Sequence, residues 1–387
     1  MRIALLSWET SYSVYVGGVS NHVTELACAL ERKGHEVHVF TRMGNDDHDH
    51  QECIHGVHYH RCPFASNPDF IEEINNMCKS FVQAVFETED FLGINFDIVH
   101  AHDWLTAKSI VLIKEGRGRK TILTMHSTEY GRCGNNFYGG ASKRVSDIEW
   151  EGAYSADHIV AVSKTLKNEL MWIYNIPEWK IDVIYNGISY WNYDGMVDPA
   201  FVRSMYGIGP LDPMVLFAGR ITYQKGPDIL LQAVPNIIKF YNNAKIVFVG
   251  DGDMRAGLED TARHMNIAHA TRFLGHKSGK DLTDLFKATD CVCVPSRNEP
   301  FGIVILEAWS AGKPVVASVK GGPSEFVWNN VNGLKVYDNP DSVSWGVGTM
   351  FSDFDHAQWM GCNGRTTAEN IFSWDIIADE AVSIYNC

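Results

Sequence analysis

The 387-residue chain is 45% hydrophobic and 21% charged, the balance of a soluble globular protein, and its length exceeds what one core serves efficiently, so two domains are expected. A net charge of −14 sets a repulsive field against duplex nucleic acid, which excludes that partner and leaves room for an anionic small molecule in a locally basic cleft. No apolar run approaches the roughly 20 residues that span a bilayer, and the nine scattered cysteines read as reduced thiols, so a cytoplasmic protein is expected.

Residues 2–7 are an apolar run and predict a strand. Residues 12–21 form a glycine-bearing loop that opens a helix through Arg32, ended by Gly34, with a strand at 36–41. Gly17 and Gly18 stand at the helix start, where a backbone can closely approach a diphosphate; they do not make G-x-G-x-x-G, so a dinucleotide site is not indicated. Residues 45–62 hold His48, His50, His55, His58 and His60 with Cys53 and Cys62. Their spacing matches no standard zinc pattern, and the alternation at 57–60 predicts a surface hairpin with an edge strand.

Residues 96–100 predict a strand running into His100-Ala101-His102-Asp103-Trp104, followed by a helix to Lys114 and a strand at 120–125 that ends at His126. Residues at the carboxyl ends of parallel strands face the crevice where ligands bind, which makes His126, Asp103 and Trp104 candidates. Residues 131–140 are too glycine-rich for regular structure and read as a lid. Strands at 158–162 and 182–184 close this half, with Asn186-Gly187 at the next turn, and 189–213 reads as an interdomain connection.

The β-loop-α alternation restarts with a strand at 214–218, Gly219-Arg220 at its end, Lys225 in the loop and a helix through Tyr241. A strand at 245–249 leads to Asp251-x-Asp253, read as a strand-to-helix turn rather than a metal-binding carboxylate pair. Strands at 271–275 and 291–295 continue the sheet. A polar turn at 296–301, a helix at 303–311 and a strand at 314–318 follow, then a helix from Pro323 and a terminal helix at 372–385.

The first turn of the helix at 303–311 presents unpaired N–H groups and a positive dipole end, which suits a phosphate. Glu299 lies just outside it and Glu307 within it. A carboxylate beside an anion site addresses sugar hydroxyls or a cationic transition state, although a turn residue and a solvated helix residue explain the pair equally. Arg220 and Lys225 fit a diphosphate leaving group. The expected architecture is α/β, two Rossmann-like halves facing a cleft.

These motifs, in this order and spacing across nearly the whole chain, resemble the retaining family 4 glycosyltransferases of the GT-B fold, relatives of glycogen and starch synthases. They are Gly17-Gly18, the segment 100–104, Thr124-Met125-His126, Ala156-Asp157 through Ser163, Asn186-Gly187-Ile188, Gly219-Arg220 with Lys225-Gly226, Pro295-Ser296 through Glu299-Pro300-Phe301-Gly302 to Glu307, and Gly321-Gly322 with Asn332-Gly333. The resemblance implies an N-terminal acceptor-side domain over 1–190 joined by the helix 372–387, and a nucleotide-sugar-binding domain over 191–371. It implies that Glu299 contacts the donor sugar, that backbone N–H groups of Phe301, Gly302, Ile303 and Val304 meet sugar and phosphate, and that Glu307 holds the ribose. Gly219, Arg220 and Lys225 would lie at the diphosphate, with Gly17 and Gly18 approaching from the other domain. His126 and Asn186 would lie against the hexose, and Leu274 and His276 near the base, where no aromatic is evident. Asp103, Trp104 and Tyr130 are acceptor candidates.

The implied activity is retaining, metal-independent transfer of a hexose, expected to be glucose, from UDP- or ADP-glucose to a sugar or α-glucan hydroxyl, without a cofactor. The chain carries Tyr15-Val16-Gly17-Gly18-Val19 where bacterial glycogen and starch synthases carry Lys-x-Gly-Gly-Leu, which keeps the donor base open. The alternatives are another nucleotide sugar with a polysaccharide, lipid or small-molecule acceptor, and a nucleotide-sugar-binding protein without turnover.

Overall fold

The computed structural model describes residues 1–44 and 49–387. The chain forms two compact units, Met1–Gly187 with Trp374–Cys387, and Ile188–Ser373. His48 of the histidine-rich segment lies outside the described residues.

The first unit is an eight-stranded sheet: β1 Arg2–Ser7, β2 Glu36–Arg42, β3 Gln51–Ile54, β4 Val57–Cys62, β5 Ile98–His102, β6 Thr121–Met125, β7 His158–Ala161 and β8 Ile181–Val183, in the order β3-β4-β2-β1-β5-β6-β7-β8. All pairings are parallel except β3 with β4. The helices are α1 Gly18–Arg32, α2 Phe70–Leu92, α3 Trp104–Arg117, α4 Glu129–Arg132, α5 Ala141–Ser155 and α6 Lys164–Tyr174. Strands β1, β5 and β6 are almost wholly buried, as parallel strands covered on both faces are; β1 reads in the sequence as an apolar run, whereas β5 and β6 bury histidines and threonines among their apolar residues. Local chemistry sets the helix ends: Asp69 caps α2 by accepting from Ile71 N, Ser163 caps α6 by accepting from Leu166 N, and Gly93 ends α2 in the left-handed conformation.

Two expectations need correction here. Residues 57–62 are not an edge strand, because β4 pairs in parallel with β2 on one side and β3 takes the edge. His60 is therefore buried, stacked on Phe40, and only His58 of the two faces out. Within 131–140, Gly131 and Arg132 belong to α4 and only the remainder is irregular.

The second unit is a six-stranded parallel sheet: β9 Met214–Ala218, β10 Lys245–Val249, β11 Thr271–Phe273, β12 Cys291–Val294, β13 Val315–Ser318 and β14 Gly333–Val336, in the order β11-β10-β9-β12-β13-β14. Its helices are α7 Pro199–Met205, α8 Pro227–Phe240, α9 Arg255–His264, α10 Gly279–Ala288, α11 Ile303–Ser310, α12 Pro323–Phe326, α13 Pro340–Ser352 and α14 Phe354–Ile371. Residues 189–213 are not a bare connection. They contain a 3-10 turn at Tyr190–Tyr193 and α7, fastened by the buried Arg203, which donates to the carbonyls of Ala288, Pro210 and Asp212 and pairs with Asp290 at 2.8 Å. Proline, glycine and aromatic content hides this segment because its order comes from tertiary bonds rather than periodicity.

The last helix, α15 Trp374–Tyr385, belongs to the first unit and packs on α1. Arg32 meets Asp375 at 2.6 Å and Lys33 meets Asp379 at 2.7 Å. Trp374, Ile377, Ala381 and Ile384 enter the core around Ile3, Leu5, Leu26 and Leu30, each large side chain contributing about 1.5–3 kcal/mol by burial. Trp374 lies so close to Gly187 that a Cβ there would sit 2.5 Å from the indole.

Candidate functional site

In the second unit the candidate residues gather at the carboxyl ends of β9 and β12. The turn after β12 buries Glu299, which is 5% exposed. Its carboxylate accepts from Ser296 Oγ at 3.0 Å and is gripped by Lys225 Nζ at 2.9 and 2.8 Å, one contact to each oxygen. Its backbone carbonyl accepts from Gly322 N at 2.8 Å. Gly321 has φ +73°, and a Cβ there would lie 2.2 Å from that carbonyl oxygen, so only glycine fits beside Glu299.

Helix α11 begins immediately after Gly302 with neither a side-chain cap nor an acidic residue in its first turn, which leaves its positive end suited to an anion. Phe301 packs its ring against Phe326 and Phe372 at 5.0 and 6.0 Å between centroids, so it anchors the turn and offers a ligand only its backbone. Ile303 and Val304 are half-buried on the first turn. One turn on, Glu307 is half-buried and bonded to Tyr193 of the 3-10 segment; burial pushes its carboxyl up to about 7.

Gly219 and Arg220 are exposed at the end of β9, and Arg220 reaches Gln224 Oε1 at 3.4 Å. The loop carrying Lys225 is held by Arg297, which forms a two-pronged pair with Asp228 at 2.8 and 2.6 Å and lies 4.0 Å over the Tyr223 ring. Lys225, expected with Arg220 at the diphosphate, has its Nζ on Glu299. Leu274 is half-buried and His276 exposed after β11. An aromatic does lie near this stretch: Tyr206, just past α7, has its ring 5.7 Å from Lys277 Nζ. Nothing in the local sequence signals it, since it comes from the segment read as a connection.

In the first unit the loop before α1 is organised by Glu9, which the sequence analysis does not single out. Glu9 is 7% exposed, and its carboxylate accepts from Val16 N at 3.0 Å, Gly17 N at 2.7 Å and Ser20 Oγ at 2.6 Å. Gly17 has open space where a side chain would stand, and Gly18 is the exposed first residue of α1. Behind the loop, His22 of α1 donates from Nδ1 to Asn186 Oδ1 at 2.8 Å and lies edge-on to His102 and His126 at 5.2 and 4.6 Å. Burial and the neighbouring imidazoles hold His22 and His102 well below the usual range and bring His126 to about 3, so these rings are neutral near pH 7.

Asp103 has φ +62° and a buried Oδ1 with no hydrogen-bond partner; Arg132 approaches only to 3.9 Å while holding Glu149 and Glu129. Burial raises its carboxyl to about 6. Trp104 turns inward against Phe70 and is 8% exposed. Tyr130 packs on Phe137 and Trp172, which are 62% and 64% exposed and form an open aromatic face.

The histidine-rich segment builds something else. His38 Nδ1 and His60 Nε2 share a hydrogen bond at 2.9 Å, and both line a cavity of about 670 Å³ with His50, His58, Glu87 and Phe91. None of the site residues named in the sequence analysis lines it.

The family described as Glycosyltransferase Family 4 matches residues 16–190, and that described as Glycosyl transferases group 1 matches 203–367. An uncharacterized glycosyltransferase of Methanocaldococcus jannaschii is 39% identical over 393 residues, covering 100% of this chain and 98% of its own. Glycogen synthase of Mycobacterium tuberculosis is 29% identical, covering 100% and 94%. D-inositol 3-phosphate glycosyltransferase of Saccharomonospora viridis is 30% identical, covering 89% and 84%. Among solved structures, sucrose-phosphate synthase from Thermosynechococcus elongatus superposes with a TM-score of 0.82 at 22% identity, covering 100% and 98%. The shared fold, two Rossmann-like α/β units, is GT-B.

Proposed function

Since the chain belongs to the family 4 and group 1 glycosyltransferases and is related to glycogen synthases, we propose that it moves a hexosyl unit, glucose first, from UDP- or ADP-glucose to a sugar or α-glucan hydroxyl with retention of configuration. The observation that carries this reading is the buried Glu299 held by Lys225 and Ser296 beside the uncapped start of α11. A carboxylate fixed next to an anion-binding helix end addresses the hydroxyls of a sugar whose phosphates occupy that end.

In this reading Glu299 orients the hexose, and backbone N–H groups at 301–304 and the cations Arg220 and Lys225 meet the diphosphate. Charge on the leaving phosphate grows as the glycosyl bond breaks, so these donors act most strongly in the transition state, and no divalent metal or cofactor is assigned to the step. The departing phosphate accepts the proton of the incoming hydroxyl on the same face, which retains configuration. Glu307 takes the ribose hydroxyls, and Tyr206 with Leu274 and His276 borders the base. On the first unit, the residues assigned are Gly17 and Gly18 for phosphate, His126 and Asn186 for a hexose, and Asp103 with the face of Tyr130, Phe137 and Trp172 for the acceptor. Aromatic faces suit the apolar face of a pyranose. Nine unpaired cysteines support a reducing, cytoplasmic setting, and among the described residues no helix is long and apolar enough to cross a membrane.

Similarity to both glycogen synthase and an inositol-phosphate transferase makes a small phosphorylated polyol the second acceptor class. The test incubates the protein with UDP-, ADP- and GDP-hexoses against an acceptor panel of α-glucans, simple sugars and inositol phosphates, following products by mass spectrometry and anomeric configuration by NMR. An α-linked product from an α-linked donor, abolished in Glu299→Ala, is expected. Nucleotide-sugar binding without turnover on every acceptor would sink the catalytic reading.

A further inference from the structure

We propose that His22, His102 and His126 form a binding site for a divalent transition-metal ion, Zn²⁺ foremost, inside the first unit. One ring nitrogen from each lies within 4.8 Å of the other two. His102 Nδ1 and His126 Nε2 face each other at 3.4 Å, long for a hydrogen bond but close to the roughly 3.3 Å edge of a tetrahedron built on metal–nitrogen bonds of about 2.0–2.1 Å. Metal binding draws the third nitrogen into the same shell.

The surroundings are those of a ligand set rather than of satisfied core histidines. His22 spends Nδ1 on Asn186 Oδ1 at 2.8 Å, which fixes the ring and leaves Nε2 with its lone pair free to ligate. Asn186 is itself 3% exposed, so this orienting bond is shielded from water. His102 is 1% exposed, and its Nε2 has no hydrogen-bond partner among the described residues. Nδ1, turned to His126 at 3.4 Å, is the nitrogen His102 offers an ion. His126 is half-buried, which gives an ion a way in.

The donor set selects the ion. Three imidazoles suit zinc, copper, nickel or cobalt and disfavour the oxygen-seeking Mg²⁺ and Ca²⁺. Three protein ligands leave a fourth position for water or an anion. The second histidine group does not offer this, because His38 and His60 already bond to one another at 2.9 Å.

A metal on His126 withdraws that ring from the hexose, so occupancy suppresses transfer. This consequence rests on the proposed role of His126, whereas binding does not.

The full-length protein, stripped with EDTA and then dialysed against Zn²⁺ or Co²⁺, is to be assayed for metal content and for the visible absorption of tetrahedral Co²⁺. One ion per chain is expected, lost in His22→Ala and in His126→Ala, weakened about 10–100-fold in Asn186→Ala and kept in His38→Ala. Circular dichroism confirms that each variant is folded, and His126→Ala, at a half-buried position, serves if His22→Ala does not fold. No bound metal in the wild type, binding that survives His22→Ala and His126→Ala, or binding lost in His38→Ala overturns the site. Zn²⁺ that binds as described without slowing transfer leaves the site standing and removes His126 from the donor.

Discussion

Lys225 Nζ lies 2.8 and 2.9 Å from the two carboxylate oxygens of Glu299, so one ion pair ties the loop after β9 to the turn after β12. The partners are unequally buried: the Glu299 side chain is 6% exposed and that of Lys225 is 23% exposed. Lys225→Ala strands a buried carboxylate and is expected to cost about 3–5 kcal/mol, whereas Glu299→Ala leaves a lysine that can turn to water and costs less. Urea unfolding of the two variants measures the order. Equal losses would show that burial of Glu299 is not what the pair protects.

Glu307 gives a pH signature. Its folded carboxyl sits at about 7, above the ordinary value near 4.5, because burial disfavours the charge. A raised pKa means that the group's stabilising contribution is complete below about 4.5 and disappears as pH rises through 7. Relative to Glu307→Gln, the wild type is expected to lose up to about 3 kcal/mol across that window and to stay level above about pH 8. A wild-type minus variant difference that is flat with pH refutes the shift. In the proposed role at the ribose, the ionised form is the better acceptor, so donor KM falls as pH rises through 7.

Glu9 holds the loop before α1 through Val16, Gly17 and Ser20. Glu9→Ala releases these donors and is expected to lower kcat/KM roughly 100-fold by misplacing Gly17 and Gly18, with a stability loss of about 1–3 kcal/mol. Glu9→Gln, which keeps one accepting oxygen, recovers part of both. Steady-state kinetics with the donor varied is the check, and an unchanged kcat/KM in Glu9→Ala dissociates this loop from transfer.

Gly321→Ala combines a left-handed backbone with a Cβ 2.2 Å from the Glu299 carbonyl. Its expected cost exceeds about 3 kcal/mol, read as a lowered unfolding midpoint or as loss of soluble protein. A variant with wild-type stability would show that the turn has room to relax.

The parallel strands are legible in the sequence because burial on both faces writes them as mostly apolar runs, as at β1 and β9. Helix α2 carries a different mark, Ile71, Ile74, Met77, Cys78, Phe81, Val82 and Val85 recurring at helical spacing behind an Asp69 cap, yet no element is assigned to it from sequence. Strand β4 misleads because its alternation reports one exposed residue, His58, while His60 and Cys62 on the same face are covered. Lys225 and Glu299 are each readable as candidates, but their pairing spans 74 positions and has no local signal. Glu9 is invisible for a related reason, since a glutamate in a polar loop declares itself only when donors from residues 16–20 close around it. His22, His102 and His126 come from a helix and two strand ends, and only the sheet order brings them together.

Because α15 supplies Trp374, Ile377, Ala381 and Ile384 to the core around Ile3 and Leu5, the unit that is synthesised first is the one completed last. While residues 188–373 are being translated, the part of α1 that packs on α15 has no cover, and the second unit is free to fold before the first is complete. A nascent chain halted before Trp374 would carry an open apolar groove beside an otherwise formed sheet, a substrate for chaperones, and docking of Trp374–Tyr385 on α1 is the event that closes it.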